Sequence, residues 1–174
     1  ISRIVRDISV TAALADTDLA AGERVALEMR DGILRARPWR TGDPTTGHAA
    51  AHAEAGSDVG ITRIEGIIPL SVAETVVAMV PVVREQGSRR VDTPRLRLLA
   101  QQIGFTAAIG VEALVALRLA GVEPDTRWAA AAAVVEAASA GVSCLLVCTE
   151  SDLPAVSERL NQAGLLFSVV DLSL

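Results

Sequence analysis

Between Gly141 and Thr149 the chain reads V-S-C-L-L-V-C, an almost unbroken apolar run bounded by a glycine and a polar turn. The run is far shorter than the ~20 residues that span a bilayer. It does not alternate in polarity, so neither of its faces can meet water. Val142 to Cys148 is therefore expected to be the central strand of a parallel sheet with helices on both faces. Parallel strands need long crossovers, and the flanking sequence supplies them. Val76, Val77, Val80, Val82 and Val83 predict a strand over 75–83, with Pro81 arguing against a helix interior. Asp92 or Thr93 caps a helix with Pro94 in its first turn, running to Gly104. Phe105–Val111 reads as a short buried strand, Glu112–Ala120 as a helix stopped by Gly121. Thr126 is placed to cap an Ala-rich helix ending at Gly141. Asp152 opens a helix ending at Gly164, and Leu166–Val170 is the last strand. This order is that of right-handed βαβ units.

The first part of the chain has another grain. Ile4, Val5, Ile8 and Val10 predict an opening strand, and Asp16–Gly22 a polar break. Two apolar-alternating runs then flank Asp31-Gly32, the residue pair of a type I′ hairpin turn. Val25, Leu27 and Met29 share one face, and Pro38 closes the second strand. H-A-A-A-H-A-E-A, His48 onward, predicts a short helix ended by Gly56. V-G-I-T-R-I-E-G-I-I-P-L, Val59 onward, predicts strand, turn, strand. The expected fold is α/β: a β-rich part with a hairpin over 1–71, then a Rossmann-like, mostly parallel sheet flanked by helices over 72–174.

Composition excludes several functions. All sixteen basic residues are Arg and the net charge is −5. Without Lys there is no Schiff-base chemistry and no P-loop lysine. The acidic balance, with no Tyr, two Phe and two Trp, argues against holding a nucleic acid directly. No G-x-G-x-x-G follows a strand, so no dinucleotide site is indicated, and no cofactor is expected. Cys144 and Cys148, as neighbours on one face of a strand, lie ~13 Å apart, beyond disulfide reach, and read as small buried hydrophobes. His48 and His52, four apart on the expected helix, have the spacing of a two-His metal pair, but no third ligand is fixed; an exposed Ala-rich helix is the alternative.

Ligands in open α/β sheets bind beyond the carboxyl ends of the strands. Three such ends are candidates. After the Val-rich strand come Gly87, Ser88, Arg89 and Arg90: an anion cradle with a bidentate arginine, or a solvated turn. Glu112 follows the second strand, at a helix start, where it either binds a ligand or offsets the helix dipole. Thr149, Glu150 and Ser151 follow the central strand, and one of Ser151 or Asp152 is the helix cap. No G-x-S-x-G elbow surrounds Ser151.

Two segments, G-S-D-V-G-I-T-R-I-E-G-I-I-P and V-P-V-V-R-E-Q-G-S-R-R-V-D, resemble a family of predicted archaeal transcriptional regulators, in which a winged-helix domain precedes a C-terminal domain of about this length. The resemblance covers most of the chain, from the hairpin to V-V-D-L. It implies transcription regulation, with DNA contacted only through an upstream winged helix. The start without Met fits such a fragment. The resemblance carries no catalytic residue. The expected function is an effector-sensing and dimerising domain, a cytoplasmic homodimer that binds a small anionic metabolite and no membrane. The alternative is a small metabolic enzyme for a phosphorylated or carboxylated substrate, with Glu112, Glu150 or Asp152 as base. A third reading is a dimerisation domain built on the Ala-rich helix 129–140.

Overall fold

The computed structural model describes residues 9–68, 70 and 73–174. The chain divides into two compact units, Ile1–Ser71 and Val72–Leu174. Ile4, Val5 and Ile8 of the expected opening strand lie outside the described residues.

The first unit is a closed barrel of five strands: β1 (Thr11–Ala15), β2 (Arg24–Arg30), β3 (Ile33–Pro38), β4 (Thr45–Ala49) and β5 (Asp58–Gly66), in the order β1-β3-β2-β4-β5. β5 returns to pair with β1, and every neighbour is antiparallel except β1 with β3. Closure leaves no open sheet edge. The interior is small and aliphatic: Ala13, Ala15, Val25, Leu27, Ala36, Ala49, Val59 and Ile61 are all buried.

The β2–β3 hairpin forms as its turn residues require. Arg30 faces Ile33, and Asp31 and Gly32 both take positive φ, 53° and 73°. A β-branched side chain in that conformation pushes its Cβ into the carbonyl oxygen. Gly32→Val is expected to cost about 1–2 kcal/mol, read as a lower denaturant midpoint with unchanged slope.

The helix expected from His48 onward does not form. His48 lies inside β4, and His52 in the loop after it. β4 is claimed on both sides: His48 faces Arg24 of β2 and Thr62 of β5. Closing the barrel outweighs the helix preference of alanine, a fraction of a kcal/mol per residue. Gly47 helps, because a Cβ there would sit 2.6 Å from the Ile61 side chain. The two histidines therefore lack the helical i, i+4 geometry. Among the described residues no group of three or more His, Cys, Asp or Glu is placed to hold a metal ion. The segment from Val59 likewise forms one strand, β5, through Gly60 rather than two strands and a turn.

The barrel's arginines are committed locally. Arg24 lies over the Trp39 ring, 3.8 Å from its centroid. Arg30 and Arg35 both donate to Asp16, and Arg37 grips Asp43 with two nitrogens.

The second unit holds four parallel strands, β6 (Thr75–Val80), β7 (Phe105–Ala108), β8 (Cys144–Thr149) and β9 (Ser168–Asp171), in the order β7-β8-β6-β9. Every residue of β8 is buried. Its Leu145 and Val147 pack on one face with α1 (Thr93–Gln102) and α2 (Gly110–Leu119) through Leu96, Ala113, Ala116 and Leu117. Its Cys144, Leu146 and Cys148 pack on the other with α3 (Ala130–Ser139) and α4 (Leu153–Gln162) through Ala130, Val134, Val156 and Leu160. Asp92 caps α1, its carboxylate accepting from Arg95 N at 3.0 Å. β6 stops at Val80, short of the expected Val83. Pro81 intervenes, and Val83–Glu85 and Gly87–Arg90 wind into two short 3-10 turns. β7 is likewise four residues long, because Gly110 already starts α2. Among the described residues no helix is long and apolar enough to cross a membrane.

Candidate functional site

The connections leave the two middle strands toward opposite faces. β6 leads through α1, over β8, to β7; β8 leads through α4, over β6, to β9. Such a reversal opens a crevice at the carboxyl ends of the strands, and concavities lie at that end of the sheet: one of about 190 Å³ beside the Arg90–Leu174 contact, with Glu85 in its lining, and three others.

The first, about 180 Å³, sits between the ends of β6, β8 and β9 and is lined by Arg84, Glu85, Glu150, Ser151, Asp171 and Ser173. One guanidinium faces three carboxylates there. The Ser173 N–H, donating to Asp171 at 2.9 Å, holds that carboxyl below the usual range. An anion is disfavoured in this setting.

The second, about 470 Å³, is lined by Gly87, Ser88, Arg89 and Glu112 with Val83, Val111 and Val115. Charge balances here, one Arg against one Glu. The loop is also less free than a cradle requires: the Gly87 N–H donates to Val82 O at 3.0 Å. Glu112 accepts from Val83 N at 3.2 Å, holding the 3-10 turn against α2. Arg90 leaves the loop altogether. Its guanidinium donates to Leu174 O, and Leu174 N returns a bond to Arg90 O at 2.9 Å. The Arg89 N–H donates to Gln86 O at 3.3 Å; its guanidinium has no ion pair or hydrogen bond among the described residues, and Arg89 lines the groove.

Thr149, Glu150 and Ser151 separate by role. Thr149 is buried and donates through N and Oγ1 to Asp152 at 3.1 and 2.7 Å, a local turn that shapes the entry to α4. Glu150 and Ser151 face the first concavity. Of the eight expected ligand residues, Gly87, Ser88, Arg89 and Glu112 line one cleft and Glu150 and Ser151 another, while Thr149 shapes a turn and Arg90 is tied to Leu174.

The third concavity, about 390 Å³, is lined by Ile109, Gly110, Arg127, Ala129–Ala132 and Arg159. Two guanidinia line it and no carboxylate does. Its construction starts at the outer edge of β7. There Asp125 and Thr126 run alongside the strand, with Asp125 N donating to Thr106 O at 2.8 Å and Ala108 N to Thr126 O at 3.0 Å. Thr126 does not cap α3; its hydroxyl is bonded to the backbone of Trp128. That turn carries Arg127 to the end of the sheet and leaves Ala129, at φ 49°, in the cap position of α3. Neither Ala129 before α3 nor Ile109 before α2 supplies a side-chain cap. Two helix N-termini with uncapped donors therefore meet this cleft, and each presents the positive end of its dipole. Arg159 reaches it from α4. Neither Arg127 nor Arg159 makes an ion pair or hydrogen bond with a carboxylate among the described residues, though the Arg127 charge reaches Glu123, which is itself bound to Arg118; Arg127 lies against the Trp128 ring, 5.1 Å from its centroid.

Nothing in the helix-capping or glycine patterns of the sequence singled out Arg127 or Arg159. The available signal was a negative one: A-A-A-A preceded by R-W-A, a helix start with no Ser, Thr, Asp or Asn at its cap.

Comparison with known proteins places this unit in a family. A family model described as a domain of unknown function, DUF7839, matches residues 69–169. The chain belongs to that family. All residues of the third cleft fall inside the DUF7839 segment, as do the Gly87–Arg90 turn and the end of β8. Over 164 residues the chain is 30% identical to an uncharacterized protein, MJ0558, of Methanocaldococcus jannaschii; the match covers 91% of this chain and 61% of that one. The chain thus spans less than two thirds of that relative's length. No solved structure matches.

Proposed function

We propose that the DUF7839 unit, a Rossmann-like open parallel sheet with helices on both faces, is the effector domain of a transcriptional regulator and senses a small phosphorylated or carboxylated metabolite. The observation that carries the proposal is the third cleft: two arginines without carboxylate partners, at the uncapped N-termini of α2 and α3, and no acid in the lining. Backbone N–H groups and the dipole together favour an anion there, and arginine adds bidentate geometry. Of the concavities at that end of the sheet it is the one with guanidinia and no carboxylate in its lining. The regulator half of the proposal rests on the resemblance of the two glycine-proline segments. It is supported by the extra length of the archaeal relative, which has room for a DNA-binding part. The metabolite would act by binding one arrangement of the regulator better than another.

Thermal denaturation with inorganic phosphate, sugar phosphates and di- and tricarboxylates tests it. A ligand at a hundred times its Kd is expected to stabilise by about 2.7 kcal/mol. Arg127→Ala/Arg159→Ala should abolish that shift, while Arg89→Ala should leave it. A shift that survives the double substitution, or no shift with any of these anions, overturns the assignment.

A further inference from the structure

The Ala-rich helix expected to form a self-interface turns Ala130, Val134 and Ala138 of α3 into the core of its own unit, leaving Ala131–Ala133 and Val135 half-buried. An uncovered apolar strand lies at one edge of the sheet. β9 is its terminal strand, and among the described residues nothing pairs with its outer edge. The opposite edge, on β7, is covered by Asp125 and Thr126. The segment that ends in β9 reads L-L-F-S-V-V-D, with one charge, no proline and no glycine. Open edges in proteins that stay apart are usually guarded by lysine, proline or a bulge. This one carries none of these, and Leu166 and Val169 are 92% and 44% exposed.

We infer that β9 pairs antiparallel with β9 of a second copy, joining two four-stranded sheets into one of eight strands with helices on both faces. The inference names the surface for the dimerisation expected of a regulator, and does not depend on the anion cleft. A second copy is favoured by the self-complementarity of the edge. A two-fold axis normal to the sheet requires residues of equal parity to face each other, so a register centred on Val169 sets Val169 against Val169 of the copy. Ser168 then faces Val170, and Asp171 faces Phe167. The two Asp171 carboxylates fall four residues out of register, ~14 Å apart along the strand, so no like charges oppose across the pair. The interface is isologous and closed, which ends assembly at two.

The register makes the test specific, because one residue meets itself. The whole chain is expected to be a dimer by light scattering at micromolar concentration. Val169→Lys and Val169→Glu should each be monomeric while keeping the wild-type far-UV circular dichroism. An equimolar mixture of the two should recover a 1:1 dimer, which a merely unfolded variant cannot do. Val169→Cys should cross-link to itself under mild oxidation, since facing strand residues lie within disulfide reach, and Leu174→Cys should not. A monomeric wild type, a dimer that survives both charged substitutions, or a mixture that stays monomeric overturns the inference. Loss of the dimer leaves the phosphate-induced thermal shift in place, so the two proposals fail separately.

Discussion

Above pH 9 the α/β unit is expected to lose stability steeply, and the two cysteines are the reason. Cys144 and Cys148 are free thiols, fully buried on the α3–α4 face of β8. Burial pushes Cys144 from 9.0 to about 11. Burial, with the nearby Asp152 carboxylate, pushes Cys148 from 9.0 to about 12. Both shifts favour the neutral thiol in the folded state. Their contribution is therefore complete below the unfolded value near 9 and is lost as pH rises toward the folded values, because the unfolded chain alone can ionise them. At about 1.4 kcal/mol per unit of displacement, the two together remove on the order of 5 kcal/mol by pH 11. That is comparable to the whole stability of many domains. The chain is unusually suited to the measurement: it has no Lys and no Tyr, so no other side chain titrates between 9 and 12. Denaturant titrations at pH 7, 9, 10 and 11 should show the falling limb. Cys144→Ala/Cys148→Ala should be less stable at pH 7, through lost packing, yet flat across the same range. A wild type as stable at pH 11 as at pH 8 would refute the burial argument.

The same two residues show what the sequence could and could not convey. V-S-C-L-L-V-C demanded a strand covered on both sides, and β8 is that strand. Periodicity and caps placed the α/β elements because each depends on local chemistry. Asp92 with Pro94 starts α1, and Asp31-Gly32 turns the hairpin wherever the rest of the chain lies. The barrel was not legible in the same way. β4 is a strand, and β5 one continuous strand rather than two, because neighbours distant in sequence claim both of their edges, and the alanines of A-A-A-H-A fit a small barrel interior as readily as a helix. Alanine carries little pattern, so tertiary closure decided the matter.

The site divides along a similar line. That a ligand would be sought at the carboxyl ends of the strands follows from the parallel topology, and the concavities lie there. Which end suits an anion depends on charge balance, and that is set by side chains far apart in sequence. Arg159 joins Arg127 only because α4 packs beside α3, and Arg90 is withdrawn only because the last residues run back past Val91. A count of arginines in a loop sees neither event.

The largest effect of a single substitution in the barrel is expected at Gly66, which the sequence marked only as punctuation. It ends β5 opposite Thr45 of β4, at φ 94°. A Cβ there would lie 2.2 Å from the Pro44 carbonyl oxygen and 3.2 Å from Thr45 Cα, both backbone atoms that no rotamer change can move aside. Thr45 in turn is the buried seam of the barrel. Its hydroxyl accepts from Leu27 N at 2.9 Å and donates to Leu27 O at 2.7 Å, tying β4 to β2. Displacing Pro44 and Thr45 therefore strains one backbone junction and loosens two buried hydrogen bonds at another. Gly66→Ala is expected to destabilise by about 2–5 kcal/mol, combining left-handed strain, overpacking and a disturbed buried pair. Gly42→Ala supplies the comparison. Gly42 has a similar φ of 96° with nothing within 4 Å of the added atom, so strain alone applies, about 1–2 kcal/mol. The difference between the two variants in urea unfolding measures the Pro44 contact. Equal losses would mean that the β4–β5 seam gives way without cost, and that Thr45 does not hold it.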